Sequence, residues 1–412
     1  MKKSFLIYLS TTLLNALIPY LMLPILARAL TLEEFGVVAL FQAILTVLVA
    51  FVSLGVDGAV GVKYFQCDED SFRVYLFNAL LVVGCGTFLA FLLLQVLGTF
   101  SPDGVFSSWW GWLIPLTALS QVLLSIRLSL LQSAGKPFLY GSLQIFQTTV
   151  NFLLSLLLVL NVGMGAEGRI LGIAVGGFFA SVLAFVFLVK GARMKFDMSC
   201  VRDVLGFGVP LLPHVILGAL YGVLDRFVVS HYLGDAQTGR YFVALQLSLP
   251  IFMLGDAFNK AFAPVVYEKV AQGDLQGIQR LAFYSVLGFV CVAVFYALLI
   301  GQFLSWFVGE RYSDILDVVY FSVAAGFFSA STLSYVNVIY AYRKNLWMSI
   351  LTILSVGVYL VGGGFFVQLL GIEGMALMAL IVKAAVFICV FLVVQVLLVG
   401  QRKIGLVDRL GD

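Results

Sequence analysis

Residues 5–26, FLIYLSTTLLNALIPYLMLPIL, run through twenty-two positions without one charged side chain. At ~1.5 Å per residue, a helix of that length crosses a hydrocarbon layer of ~30 Å. Lys2 and Lys3 precede the run, and Ala27-Arg28-Ala29 follows it with the small-x-small form of a cleavage site. A secretory signal has an apolar core of only ~7–15 residues, so the run reads as a retained membrane span. Working outward, similar runs recur to the end of the chain. The expected spans are 5–29, 36–61, 74–97, 109–133, 139–161, 169–189, 204–232, 241–262, 281–306, 314–341, 346–369 and 374–399.

Composition points the same way. Of 412 residues, 62% are hydrophobic and 11% charged, with a mean hydropathy of +1.08. Soluble domains hold ~45–50% apolar and ~25% charged residues, so a water-soluble globular enzyme is excluded. Twelve helices of ~20 residues leave only ~13 residues for each terminus or connection, too few for a soluble catalytic domain. The expected fold class is an all-α integral membrane protein of about twelve transmembrane helices in two six-helix lobes, residues 1–200 and 201–412. The five cysteines, Cys67, Cys85, Cys200, Cys291 and Cys389, are odd in number and never in a CxxC spacing, so neither a disulfide framework nor a zinc site is expected. Gly135-Lys136 is followed by Pro137 and is no P-loop, and no HExxH, GxSxG or dinucleotide fingerprint occurs. No catalysis, cofactor, metal or nucleic-acid partner is therefore expected, and any driving energy has to come from an ion gradient, the membrane potential or downstream consumption of substrate.

The placement of charge gives the orientation. Taking the connections alternately, one side holds Lys2, Lys3, Lys63, Arg73, Arg127, Lys136, Lys190, Arg193, Lys195, Arg202, Lys260, Lys269, Arg280, Arg343, Lys344, Arg402, Lys403 and Arg409, which is 18 of the 24 Lys and Arg. The other side holds Arg28, Arg169, Arg240 and Arg311, while Arg226 and Lys383 lie deeper. By the positive-inside rule both termini belong in the cytoplasm. Every outer connection is short, the longest being about 98–108, which argues against a glycan polymerase or ligase with a large outer acceptor loop.

The halves echo each other. Leu30 is followed six residues later by Gly36 and then Val38-Ala39-Leu40; Leu233 is followed six later by Gly239 and then Val243-Ala244-Leu245. Gly135-Lys136-Pro137 answers to Arg343-Lys344-Asn345, and Gly165-Ala166-Glu167-Gly168 to Gly371-Ile372-Glu373-Gly374. The offsets are 203, 208 and 206, as a parallel duplication of six spans would give, a common plan in secondary transporters.

Several of these segments resemble the O-antigen/polysaccharide (Wzx-type) flippases of the MOP superfamily. They are Leu14-Asn15-Ala16-Leu17-Ile18-Pro19, Leu23-Pro24-Ile25-Leu26-Ala27-Arg28-Ala29-Leu30 and Glu34-Phe35-Gly36, then Leu54-Gly55 with Val62-Lys63-Tyr64-Phe65. The Gly135-Lys136 turn, Asp225-Arg226-Phe227 and Ala261-Phe262-Ala263-Pro264 extend the likeness over nearly the whole chain. The resemblance implies two lobes around a central cavity that move a polyprenyl-diphosphate-linked oligosaccharide from the cytoplasmic to the outer leaflet of the bacterial inner membrane. It implies the lipid-linked glycan and membrane lipid as partners, with a polysaccharide polymerase and a chain-length regulator as further ones. The alternative within the superfamily is a MATE-like multidrug or metabolite cation antiporter.

An ionisable group inside a span costs at least ~2.5–3.5 kcal/mol and needs water, a partner or an interface. By depth, Lys383 and Arg226 are the first candidates for substrate binding, followed by Arg127 and Arg28. Asp256 and Lys260, four apart, read as an ordinary helix-surface pair. Uncharged polar stripes carry Asn15 on the first span, Gln42 on the second and Gln144, Gln147 and Asn151 on the fifth, suited to a sugar's hydroxyls. On the seventh, His214, Gly218, Tyr221 and Asp225 share a stripe; Tyr221 joins the substrate candidates, and His214, Asp225 and Asp57 are the candidates for ion coupling. Interhelical hydrogen bonding is the competing, purely structural explanation of each stripe. Deep cations favour a diphosphate and deep carboxylates a cationic drug. Arg127, Arg226, Lys260 and Lys383 exceed Asp57, Asp225 and Asp256 by one.

The charge split sets a test of orientation. In a single-cysteine background, positions within 100–107 should react with an impermeant thiol reagent added outside, and positions within 192–200 should be protected. The reverse pattern would invert the topology.

Overall fold

The computed structural model describes residues 2–100, 109–342, 344 and 346–410. Helices α1 (Lys2–Ala29), α2 (Leu32–Ser53), α3 (Val56–Lys63), α4 (Glu69–Phe100), α5 (Trp110–Ser133), α6 (Pro137–Leu156), α7 (Gly165–Lys190) and α8 (Met198–Tyr221) are followed by α9 (Leu224–Ala271), α10 (Leu275–Val308), α11 (Leu316–Ala341) and α12 (Leu346–Leu410). Among the described residues, ten helices are long and apolar enough to cross a membrane. The chain divides into two compact units, Met1–Phe227 and Val228–Asp412.

Helices are what the bilayer demands, since a spanning backbone has to satisfy its own hydrogen bonds. Hydroxyls in the spans follow the same rule by donating to a carbonyl one turn back. Thr46 donates to Gln42, Thr87 to Val83, Thr117 to Leu113, Thr332 to Phe328 and Ser355 to Leu351.

In the N-terminal unit, α6 packs against α1 and α7, α7 against α5, and α8 against α2 and α4. Thr31 caps α2: its hydroxyl accepts from Glu34 N at 3.2 Å, while the Glu34 carboxylate accepts from Thr31 N at 2.7 Å. The Gly135-Lys136-Pro137 turn stops one helix and starts the next. Gly135 is left-handed (φ +64°), Lys136 N reaches back to the Leu131 carbonyl at 2.9 Å, and Pro137 opens α6 with its ring already at a helical φ.

The span expected at 36–61 is broken. Leu54 (φ +47°) and Gly55 (φ +67°) are successive left-handed residues, which end α2 and restart the chain as α3. A leucine there is strained, since its Cβ crowds the following carbonyl. Against this break lies Gly208 of α8, where a Cβ would overlap the Leu54 carbonyl. The stripe expected through His214, Gly218, Tyr221 and Asp225 is also interrupted. The chain turns at Gly222-Val223, so Tyr221 closes α8 and Asp225 sits in the first turn of α9. The His214 side chain lies outside the described residues.

One end of this unit is tied by polar contacts. Asn78, fully buried on α4, donates to the Lys195 carbonyl at 2.9 Å and accepts from Asp197 N at 3.0 Å, fixing the linker into α8. Lys63 pairs with Asp203 at 3.0 Å and lies over the Tyr75 ring. The Asp203 hydrogen bond raises the Lys63 pKa above the ordinary lysine range.

In the C-terminal unit, Phe262, Val266, Ile278, Ala282, Val338, Ile339, Val390 and Val394 form one core shared by α9, α10, α11 and α12. Asn337, buried on α11, donates to Asn259 at 2.7 Å. Two long helices change direction at glycines whose backbone leaves the helical region, α9 at Gly234 (φ +79°) and α12 at Gly371 (φ +64°). At ~1.5 Å per residue, the 65 residues of α12 exceed a ~30 Å layer about threefold, and Gly371 divides them into 346–370 and 372–410.

The Gly208 contact gives a stability test. Gly208→Ala should destabilise the purified protein by about 1–3 kcal/mol through overpacking at the α2–α3 break, read as a lower melting temperature. An unchanged melt would show that the helices do not approach so closely.

Candidate functional site

The densest polar network in the N-terminal unit follows one face of α6. Gln144, Thr148, Asn151 and Ser155 recur at four, seven and eleven residues, so they share a stripe ~16 Å long. Gln147, one turn before Asn151, flanks it, and both glutamines are half-buried. Several of these side chains reach neighbouring helices. Thr148 donates to the Asn15 side-chain oxygen on α1. Gln144 Nε2 lies 3.4 Å from the Tyr140 hydroxyl, while its Oε1 is enclosed without a hydrogen-bond partner among the described residues.

At the far end of the stripe is Arg169 of α7. The sequence places it among the outer connections; the structure buries it, with 7% of its surface exposed. Its Nη1 donates to Asn151 Oδ1 at 2.6 Å and to Ser155 Oγ at 2.7 Å. Ser155 in turn donates to Asn151 Oδ1 at 3.2 Å. No ion pair among the described residues includes Arg169.

Close approach of the two helices makes this burial possible. Gly168, Gly172 and Gly176 repeat every fourth residue along α7, and added Cβ atoms there would strike Leu158, in the π-helical turn after α6, and Ser155 and Asn151 of α6. Small residues at that spacing let helix backbones meet in a membrane. The nearby carboxylates are engaged at the start of α7. Glu34 accepts from Ala166 N at 3.3 Å as well as from Thr31 N, and Glu167 accepts from Trp109 Nε1 at 3.1 Å.

The other candidates lie apart from this network. Arg28 is exposed at the end of α1, and Gln42 is half-buried on α2. Asp57 accepts from Ser53 Oγ at 2.8 Å, and its carbonyl accepts from Ser129 of α5 at 2.8 Å. Arg127 lies 5.0 Å from the Phe187 ring centroid, a cation–π contact within the unit. Asp225 is buried, with Oδ1 accepting from Arg226 N at 2.9 Å; Arg226 and Tyr221 are half-buried. Lys383 is half-buried on α12 of the C-terminal unit. Asp256 is exposed, and the Lys260 side chain lies outside the described residues. Among the described residues, no group of three His, Cys, Asp or Glu could hold a metal.

Arg169 and the glycine stripe are what sequence reading missed, although the Gly168-Gly172-Gly176 spacing was visible in the sequence. The network can be tested by a double-mutant cycle. Asn151→Ala should cost about 1–3 kcal/mol by depriving a buried guanidinium of an acceptor, and less than ~1 kcal/mol in an Arg169→Met background. Equal costs in both backgrounds would show that the bond contributes nothing.

Comparison with known proteins fits a polar-lined membrane bundle. A Haemophilus influenzae protein of the Lsg locus is 27% identical over 381 residues, covering 87% of this chain and 89% of its own. The uncharacterized membrane protein EpsK of Bacillus subtilis is 25% identical over 418 residues, covering 92% and 80%. Among solved structures, an inward-facing multidrug resistance MATE family transporter of the MOP superfamily matches with TM-score 0.77 at 14% identity, over 97% of this chain and 99% of that one. The lipid II flippase MurJ, in an inward closed conformation, matches with TM-score 0.71 at 15% identity, over 96% and 88%. The model of the polysaccharide biosynthesis protein family matches residues 25–295; the chain belongs to that family and has the fold of the MOP superfamily.

Proposed function

We propose that this multi-pass membrane protein is a flippase that moves a polyprenyl-diphosphate-linked oligosaccharide, an O-antigen, capsule or exopolysaccharide repeat unit, from the cytoplasmic to the outer leaflet of the bacterial inner membrane. The family match over residues 25–295 carries this reading, because it ties a transporter fold to polysaccharide biosynthesis. The likeness to a lipid II flippase supports it, since that protein's named cargo is also a lipid-linked glycan precursor. In this reading twelve spans form two parallel six-helix lobes, both termini are cytoplasmic, and transport proceeds by alternating access.

The residue roles follow the chemistry of such a cargo. Lys383, Arg226, Arg127 and Arg28 would meet the diphosphate or an acidic sugar. Asn15, Gln42, Gln144, Gln147, Asn151 and Tyr221 would meet hydroxyls. Asp225, His214 and Asp57 would carry any coupled proton or sodium ion. A polymerase and a chain-length regulator would take over the product. The second reading, a cation antiporter, is favoured by the MATE match at TM-score 0.77. A cationic drug would call on the carboxylates Asp57 and Asp225, which each also accept a hydrogen bond, and on the exposed Asp256.

Deleting the gene should make lipid-linked glycan accumulate on the inner leaflet and abolish the surface polymer, scored by extraction of the glycolipid and staining of the cell surface. Persistence of the polymer without a redundant flippase, together with increased drug sensitivity, would replace this reading with the antiporter.

A further inference from the structure

The network around Arg169 has more donors than acceptors. Asn151 Oδ1 already accepts from Arg169 Nη1 and from Ser155, and the Ser155 oxygen accepts from Arg169 while giving its own proton to Asn151. Left over are one N–H at Nε and two at Nη2 of Arg169, with two more on the Asn151 amide nitrogen. None of these has an acceptor among the described residues. The charge is equally uncompensated. Arg169 is 7% exposed, its two bonded partners are neutral, and no ion pair among the described residues includes it. Arg169 also lies in the second turn of α7, where the positive end of the helix dipole adds to its charge. Guanidinium stays protonated in proteins, so it cannot escape this burial by losing its proton.

We propose that the α6–α7 junction is a built oxyanion site, in which the Nε–Nη2 edge of Arg169 and the amide of Asn151 bind a phosphate oxygen pair. A guanidinium edge matches such a pair bidentately, and the neutral Asn151–Ser155 bracket holds the group in place without neutralising it. Gly168, Gly172 and Gly176 keep α6 close enough for that bracket to form. The phosphate can come from a lipid-linked diphosphate or from an anionic phospholipid headgroup. The site shares Asn151 with the hydroxyl-binding residues assigned above but none of the cations, and its occupancy can be measured without any transport.

The test uses the full chain in phosphate-free maltoside micelles, melted with and without inorganic pyrophosphate at matched ionic strength, and with added phosphatidylglycerol. At least one of the two phosphate sources should raise the wild-type melting temperature by a few degrees, as binding to the folded state alone requires. Arg169→Met should abolish that shift while still melting cooperatively. Arg169→Lys should retain less than half of the shift, having lost the planar fork. Asn151→Asp supplies a carboxylate internally, so it should raise the anion-free melt and blunt the response. A pyrophosphate response lost in Arg169→Met assigns the site to a diphosphate, and a response confined to phosphatidylglycerol assigns it to a headgroup. If Arg169→Met keeps the wild-type shift, or if neither source shifts the wild type, the proposal is overturned. Failure here would leave the flippase reading untouched, since that reading is tested by glycan accumulation in cells.

Discussion

A guanidinium held between two helices that meet through glycine sets the geometry of the N-terminal unit. Arg169 can bond to Asn151 and Ser155 only because α7 presents Gly168, Gly172 and Gly176 to α6. In a membrane no hydrophobic force draws helices together, so association depends on close packing and interhelical hydrogen bonds. This junction uses both. The same face of α6 also meets α1, where Gly141 faces Thr11 and Thr148 bonds Asn15. One helix face therefore carries a continuous polar line through an otherwise apolar bundle.

The bilayer also sorts the polar side chains by what they can satisfy alone. Thr46, Thr87 and Thr117 return to a carbonyl one turn back, while Thr148 and Ser129 bond to other helices. Asn15, Asn151 and Arg169 reach other helices, and these residues define the network. That division separates Thr46, which bonds its own helix, from Asn15 and Asn151, which bond or bracket groups on neighbouring ones.

Much of this was legible in the sequence. Hydropathy marked the chain as an all-helical membrane protein, with ten helices among the described residues long and apolar enough to span, and the Gly-Lys-Pro turn at 135–137 announced a helix stop and start. The break at Leu54-Gly55 was hidden, since a leucine at φ +47° has no sequence signature and the hydrophobic run continues through it. The turn at Gly222-Val223 was hidden for the same reason, which is why one expected stripe became residues on two helices. The burial of Arg169 was not foreseen because a cation four residues into a helix can equally snorkel to the surface; only the glycine spacing distinguished the two outcomes. The polysaccharide family was legible from the motif run in residues 5–65, while the glycan itself leaves no mark that composition or spacing can carry.

The central claim is that this polar-lined bundle translocates a lipid-linked glycan. It is tested most directly by reconstituting the purified chain into proteoliposomes carrying a polyprenyl-diphosphate-linked oligosaccharide labelled in its sugar. The measurement is the rate at which inner-leaflet label becomes accessible to an impermeant glycosidase outside. The account predicts a rate well above that of protein-free liposomes, with no gradient-driven uptake of a lipophilic cation by the same vesicles. Glycolipid exposure at the protein-free rate, accompanied by cation uptake, would contradict it.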